Sequence, residues 1–408
     1  MSKFPLSSVA VLMCSATLAQ AEVSGHFTTS MIFGGPDFTA DGTYATGSLR
    51  YFTDHEVEAD LGPLEFHLDG QVTLSANSGA AINATQSLRQ AYVEFGGETF
   101  VVGLGRHVSV RGVADGFNPI DVVSPRNYRL SAYETQANRF GVDGIWGSLF
   151  LGTDVTIEAQ VLAGKKSNLL PDGTYNSGFA LPDRPVESDD LAIDARLGWS
   201  AEFGDLSVSA YSGPANQPFL APDGAGTAAV LPGLTMVGAE FDAVIDVWRL
   251  YGEVAYHAYD AGAFDVADGF LPDDEILAVL GAERELDGAN RLGVQVFFRH
   301  LQEARDPATG PAALLATTAR QIYGQFDDRQ IGASLSFVWE SEDTRTSAEV
   351  AVSSWFQGDR YLRLRGKHRL GPDQALYLHA DLLDGPAASP YGALKDSSTV
   401  GLEFRQSF

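Results

Sequence analysis

The chain carries almost no cysteine: Cys14 is the single one among 408 residues. That excludes a disulfide framework and thiolate metal sites. It also lacks any run approaching the roughly 18 consecutive apolar residues that a membrane helix requires. Basic residues are scarce, 27 Lys and Arg against 53 Asp and Glu, for a formal charge of −26. Such an excess of negative charge argues against nucleic acid and anionic lipid surfaces as partners. Catalytic signatures are missing as well. The histidines (His26, His55, His67, His107, His257, His300, His368 and His379) are scattered, with no HExxH, G-x-S-x-G or DxDxDG segment around them. Ala163–Ser167 (AGKKS) looks faintly like a phosphate loop, but Ala159 stands where its first glycine belongs. No nucleophile sits beside a base oriented by a third group. The sequence therefore nominates no catalytic residue, no cofactor and no metal ligand, and the expectation is that the protein is not an enzyme.

Export is indicated by the first residues. MSKFPLSSVAVLMCSATLAQA has a basic Lys3, an apolar segment Val9–Met13 and the small-residue ending Ala19-Gln20-Ala21. This reads as a secretory signal over residues 1–21, cleaved before Glu22, and it is too short to span a bilayer. A lipoprotein signal built on Cys14 is the alternative, although Met13 is bulky where such sites want a small residue. Loss of Lys3 leaves 26 basic residues against 53 acidic ones, a charge of −27 on residues 22–408.

What the sequence does have is period-two alternation. In LEFHLDGQVTLSAN, from Leu64 to Asn77, the apolar set Leu64, Phe66, Leu68, Val72 and Leu74 faces one way. Glu65, His67, Asp69, Gln71 and Thr73 face the other, as successive strand side chains must. A strand of this length tilted by about 45° covers roughly 33 Å, close to a bilayer's thickness. We find 18 such segments, beginning near residues 23, 43, 63, 87, 98, 136, 149, 189, 205, 234, 246, 275, 290, 328, 345, 359, 374 and 398. Short turns, such as Gly96-Gly97-Glu98, Phe203-Gly204-Asp205 and Gly371-Pro372-Asp373, tend to alternate with long links. The link at Gln357-Gly358-Asp359 breaks this rule by being short. Trp146, Trp199, Trp248 and Trp339 share the apolar parity near the short turns, predicting an aromatic girdle, whereas Trp355 falls on the polar side. An exported chain with membrane-length strands and no membrane helix leaves one fold class. It is an all-β transmembrane antiparallel β-barrel of 18 strands, with 16 as the alternative, in one domain over residues 22–408.

The chain's end, GLEFRQSF, alternates Val400, Leu402 and Phe404 toward a terminal Phe408. This resembles the last strand of Gram-negative outer-membrane proteins, with Gln406 standing where an apolar residue is usual. EVSGHFTTSMIFG, from Glu22 to Gly34, looks like the first strand of general porins. The resemblance covers both ends and the barrel pattern. It implies an outer-membrane channel for passive diffusion of ions and small hydrophilic solutes, and it implies a homotrimer.

An 18-stranded barrel is too wide for its own side chains to fill, so a watery lumen is expected. In general porins the third outer loop folds inward, and the resemblance assigns that part to residues 107–135. Beside Arg106 it carries Arg111, Asp115, Asp121, Arg126, Arg129 and Glu134, with Phe117, Ile120, Val122 and Val123 to pack against the wall. A second feature is YLRLRGKHRL, where Arg363, Arg365, Lys367 and Arg369 share one face opposite Leu362 and Leu364. A basic ladder facing water would attract anions such as phosphate; neutralisation by Asp381 or Glu403 is the competing reading. A channel for oligosaccharides would instead show stacked aromatics along the lumen, and the sequence displays no clear track of them. Acidic outer links such as Asp260–Asp274 fit either solvation or cation-bridged contact with lipopolysaccharide.

Overall fold

The computed structural model describes residues 24–34, 43–59, 62–77, 83–129, 138–170, 182, 184–223, 226–261, 271–286, 289–302 and 313–408. The signal over residues 1–21 and the candidate Glu134 lie outside them. Among the described residues, no helix is long and apolar enough to cross a membrane.

Eighteen strands form one antiparallel sheet that closes on itself. The strand Ser24–Gly34 pairs with Thr43–Ala59 on one side and with the last strand, Thr399–Ser407, on the other. The seam runs from His26 opposite Ser407 to Gly34 opposite Thr399. Beyond the last pair, the amides of Gly25 and Phe408 exchange bonds of 3.2 and 3.0 Å, so the terminal residue extends the closure. Strands range from the 8 residues of Phe100–His107 to the 17 of Thr43–Ala59.

Side chains sort by parity. Phe27, Met31, Ile193, Leu197, Val254, Leu280, Leu335 and Leu402 are exposed on the outer face, where lipid belongs. Asp69, Asp194, Glu240, Glu253 and His379 are buried on the inner one. In the strand Gly62–Asn77 the register slips between Asp69 and Gly70, giving a β-bulge with Arg89 as the extra residue opposite. Arg89 turns inward to Asp69 at 3.1 Å, which Arg50 also grips through both carboxylate oxygens, at 2.9 and 2.7 Å. Gly70 is required there, because a Cβ would stand 2.4 Å from the Tyr51 hydroxyl.

Two strands sit about six residues beyond the predicted starts near 136 and 149: they are Val142–Leu151 and Val155–Ala163. The turn between them is Gly152-Thr153-Asp154, with Gly152 at φ +71°. This shift corrects the girdle. Trp199, Trp248 and Trp339 do face outward, 41–49% exposed. Trp146 points into the lumen, its ring 3.9 Å from His107 and 5.2 Å from Tyr92. The outer links also hold structure that the alternation does not announce. A helix spans Ala313–Ile322, a hairpin joins Phe219–Asp223 to Gly226–Val230, and a 3-10 turn covers Gly392–Ser397. Ile120, Phe219, Leu220, Leu315, Ile322 and Tyr323 pack into one apolar cluster over part of the mouth.

If Val254 meets lipid near mid-strand, Val254→Arg should cost about 2–4 kcal/mol of folding free energy in vesicles. The same change at lumen-facing Ser334 should be close to neutral. Denaturant titration of both variants in lipid is the check.

Candidate functional site in the barrel lumen

The described residues 108–129 leave the strand Phe100–His107 and pass inside the barrel along its wall. Its first anchor is Arg111. The guanidinium donates to Asp194 at 2.8 and 3.2 Å and also bonds Glu158, both acids from lumen faces of neighbouring strands. The amides of Val113 and Ala114 then donate to one oxygen of Glu253, each at 2.6 Å. Gly112 lies between these anchors at φ +82°, and a Cβ there would come within 2.4–2.6 Å of Asn118 and Glu253. Only glycine permits that approach.

The tip is Asp115-Gly116-Phe117. Asp115 and Gly116 are exposed, whereas Phe117 wedges between Phe297 and Trp355, at 5.6 and 5.1 Å between ring centroids. Asn118 turns the chain back: its side-chain oxygen accepts the amides of Ile120 and Asp121 at 3.1 and 3.0 Å. The return limb is pinned by His257 at the Pro119 carbonyl, 2.9 Å, and by Asp121, which holds both Arg126 and Arg139. Segment and opposite wall enclose a passage of about 1240 Å³.

Lys165 adds an anchor that the sequence reading did not select. Its ammonium is fully buried, donates to the Val122 carbonyl at 2.7 Å and lies 4.2 Å from the Tyr211 ring centre. Burial pulls its pKa down to about 7, partly opposed by Asp194 and Asp121.

The predicted site residues therefore part company. Arg111 and Asp121 hold the segment in place, Asp115 stands exposed at its tip, and Arg126 and Arg129 line the passage. Arg129 also bonds the carbonyls of Leu170 and Pro182 at 2.7 and 3.0 Å. Arg106 does not belong to the lumen. It shares the outward face with Val102 and pairs with Asp143 through two bonds of 2.8 Å. Of the ladder, Arg363 and Arg365 line the passage; Lys367 and Arg369 lie farther toward the short turn. Both lining cations are paired, Arg363 with Glu349 and Arg365 with both oxygens of Asp381 at 3.0 Å. Arg299, also in the lining, faces Glu275 at 2.9 Å. Sequence reasoning missed the aromatic lining of Tyr361, Tyr391, Phe297 and Phe326. Parity flagged one member of the group, Trp355, by placing it on the wet face.

No family model matches the chain, and no curated protein matches it. Solved structures do. OccK5 (OpdH) of Pseudomonas aeruginosa aligns at TM-score 0.56 and 10% identity, over 96% of this chain and 98% of that one. OpdQ of the same organism aligns at TM-score 0.56 and 10% identity, over 95% and 98%. OccAB2 of Acinetobacter baumannii aligns at TM-score 0.54 and 13% identity, again over 95% and 98%.

Two variants test the anchoring. Arg111→Met leaves Asp194 buried without its counter-charge, at a cost of about 3–5 kcal/mol; the thermal midpoint should fall and single-channel current should become noisier. Lys165 titrates with the opposite sign from most stabilising pairs. Between about pH 7 and 10.5 the unfolded chain carries a proton that the folded one has shed, so stability rises with pH across that window. Denaturant midpoints of wild type and Lys165→Met should diverge in favour of wild type over the same range. At these identities the structural likeness establishes the fold alone, and that fold is a closed 18-stranded antiparallel β-barrel.

Proposed function

We propose that the protein is a porin through which ions and small hydrophilic solutes diffuse passively across the outer membrane. The observation that carries this reading is the segment 108–129 lying inside the barrel and leaving an open passage, lined by both charged and aromatic side chains, beside it. A channel of this kind narrows the lumen to a size filter and sets its field by the charges on either side. It needs no catalytic group, and we assign it none. The alternative is a channel selective for anions. Arg126, Arg129, Arg139, Arg299, Arg363 and Arg365 in the lining favour it. The pairing of most of them with carboxylates supports weak selectivity instead. Export through the signal over residues 1–21 and assembly into a homotrimer belong to the same proposal; lipopolysaccharide would surround the outer rim.

Single-channel recording of refolded residues 22–408, with the reversal potential under a KCl gradient, tests it. Stepwise conductance with little preference between K⁺ and Cl⁻ is expected. Arg363→Gln with Arg365→Gln strands Glu349 and Asp381, so the double variant should shift toward cations. A selectivity that ignores both changes would place those side chains away from the ion path. A correctly folded barrel that passes no current would overturn the channel. N-terminal sequencing of chain recovered from outer membranes should begin at Glu22, and cross-linking there should yield trimers.

A further inference from the structure

The passage is lined by a feature that a plain ion path does not require. Tyr361 and Tyr391 meet at a tilt of 43°, 5.4 Å between ring centres, and Phe117 meets Trp355 edge-on at 5.1 Å. Tyr361, Tyr391 and Phe117 are each partly exposed to the passage. The rings are fixed from behind: Asp359, itself buried, accepts the amides of Trp355 at 3.0 Å and Tyr391 at 3.1 Å. One carboxylate thus sets two ring-bearing segments from different links.

Around these rings stand hydrogen-bonding groups whose cations are paired with carboxylates. The Tyr361 hydroxyl donates to Asp381 at 2.5 Å, and the same carboxylate is held by Arg365. Arg363 is matched by Glu349. The exposed Asp115 at the segment's tip shares the passage and adds a negative charge. An anion would meet that charge and find each nearby guanidinium already partnered. A neutral solute with one apolar face and a rim of hydroxyls would meet ring faces on one side and polarised ion pairs on the other.

We propose that Phe117, Tyr361 and Tyr391, with the Arg363–Glu349 and Arg365–Asp381 pairs, form a carbohydrate subsite in the passage, taking one sugar ring of a short neutral oligosaccharide. This rests on the channel reading and names the solute class that the channel favours. The rings are preorganised, so little ordering is required when the sugar stacks.

Maltotriose added to single channels of the whole mature protein in planar bilayers tests the subsite, with benzoate as the anionic comparison. Reversible interruptions of the current by maltotriose are expected. Their residence time should fall about tenfold in Tyr361→Ala with Tyr391→Ala, the loss of two ring contacts. Tyr391→Phe, which keeps the ring, should retain the interruptions and shows that loss in the alanine variant is not misfolding of the link. Channels that conduct KCl but ignore maltotriose overturn the subsite while leaving the channel standing. So does residence unchanged by the alanine pair, and so does benzoate interrupting the current where maltotriose does not. Absence of any KCl current is a different result and removes the channel itself.

Discussion

A backbone N–H or C=O in hydrocarbon finds no water, so a strand crossing lipid must be paired along both edges. Here that requirement is met by the seam between Ser24–Gly34 and Thr399–Ser407. Everything else in the molecule follows from having closed the sheet. Once it is a cylinder, period-two alternation becomes a sorting rule, with one set of side chains in lipid and the other enclosed together. Eighteen strands enclose more space than side chains alone can fill. The chain must then either admit water or bring in another part of itself, and it does both.

The part brought in is held by charge more than by apolar contact. Arg111 reaches two carboxylates, Glu253 takes two successive amides, and Asp121 binds two arginines. Each anchor removes an ionised group from water, which is costly unless its partners replace the lost hydration. A segment fastened in this way has few alternative positions, since every shift leaves a buried carboxylate unsatisfied. The apolar contacts lie at its two extremes, Phe117 on the far wall and Ile120 with Val122 under the outer cluster. Polar anchors fix the path, and the aromatic wedge fixes how far across the lumen the tip extends.

How much of this the sequence discloses depends on whether a residue acts through its own alternation or through a distant partner. The strand count and both ends were legible because lipid exposure repeats along each strand, as Leu64, Phe66 and Leu68 do. Val142–Leu151 was less so, since both faces carry apolar residues: Val142, Trp146 and Phe150 on the inner one, and Ile145, Leu149 and Leu151 beside Asp143 and Gly147 on the outer one. There Trp146 packs inward over Gly103, whose missing side chain leaves room for the ring. Arg106 misled for a related reason: a cation on the lipid side is tolerated at the strand's end because Asp143 lies across from it. Lys165 was unreadable, because its meaning comes from Val122 and Tyr211, 43 and 46 residues away. Trp355, by contrast, broke its local pattern, and the break marked the aromatic wall.

Net charge illustrates the same separation of levels. A formal −26 would suggest a lumen hostile to anions, yet the residues lining the passage include more arginines than acids. The resolution is that the lumen's cations are spent on internal pairs: Arg363 on Glu349, Arg365 on Asp381, Arg299 on Glu275. Pairing of this kind leaves strong local dipoles and almost no long-range field, since opposite charges a few ångströms apart cancel beyond about one Debye length of 8–10 Å. A solute in the passage therefore experiences donors and acceptors at close range but little attraction by sign. Selectivity in such a channel must come from shape and from the groups that a solute can touch, which is where the tyrosines and Phe117 stand.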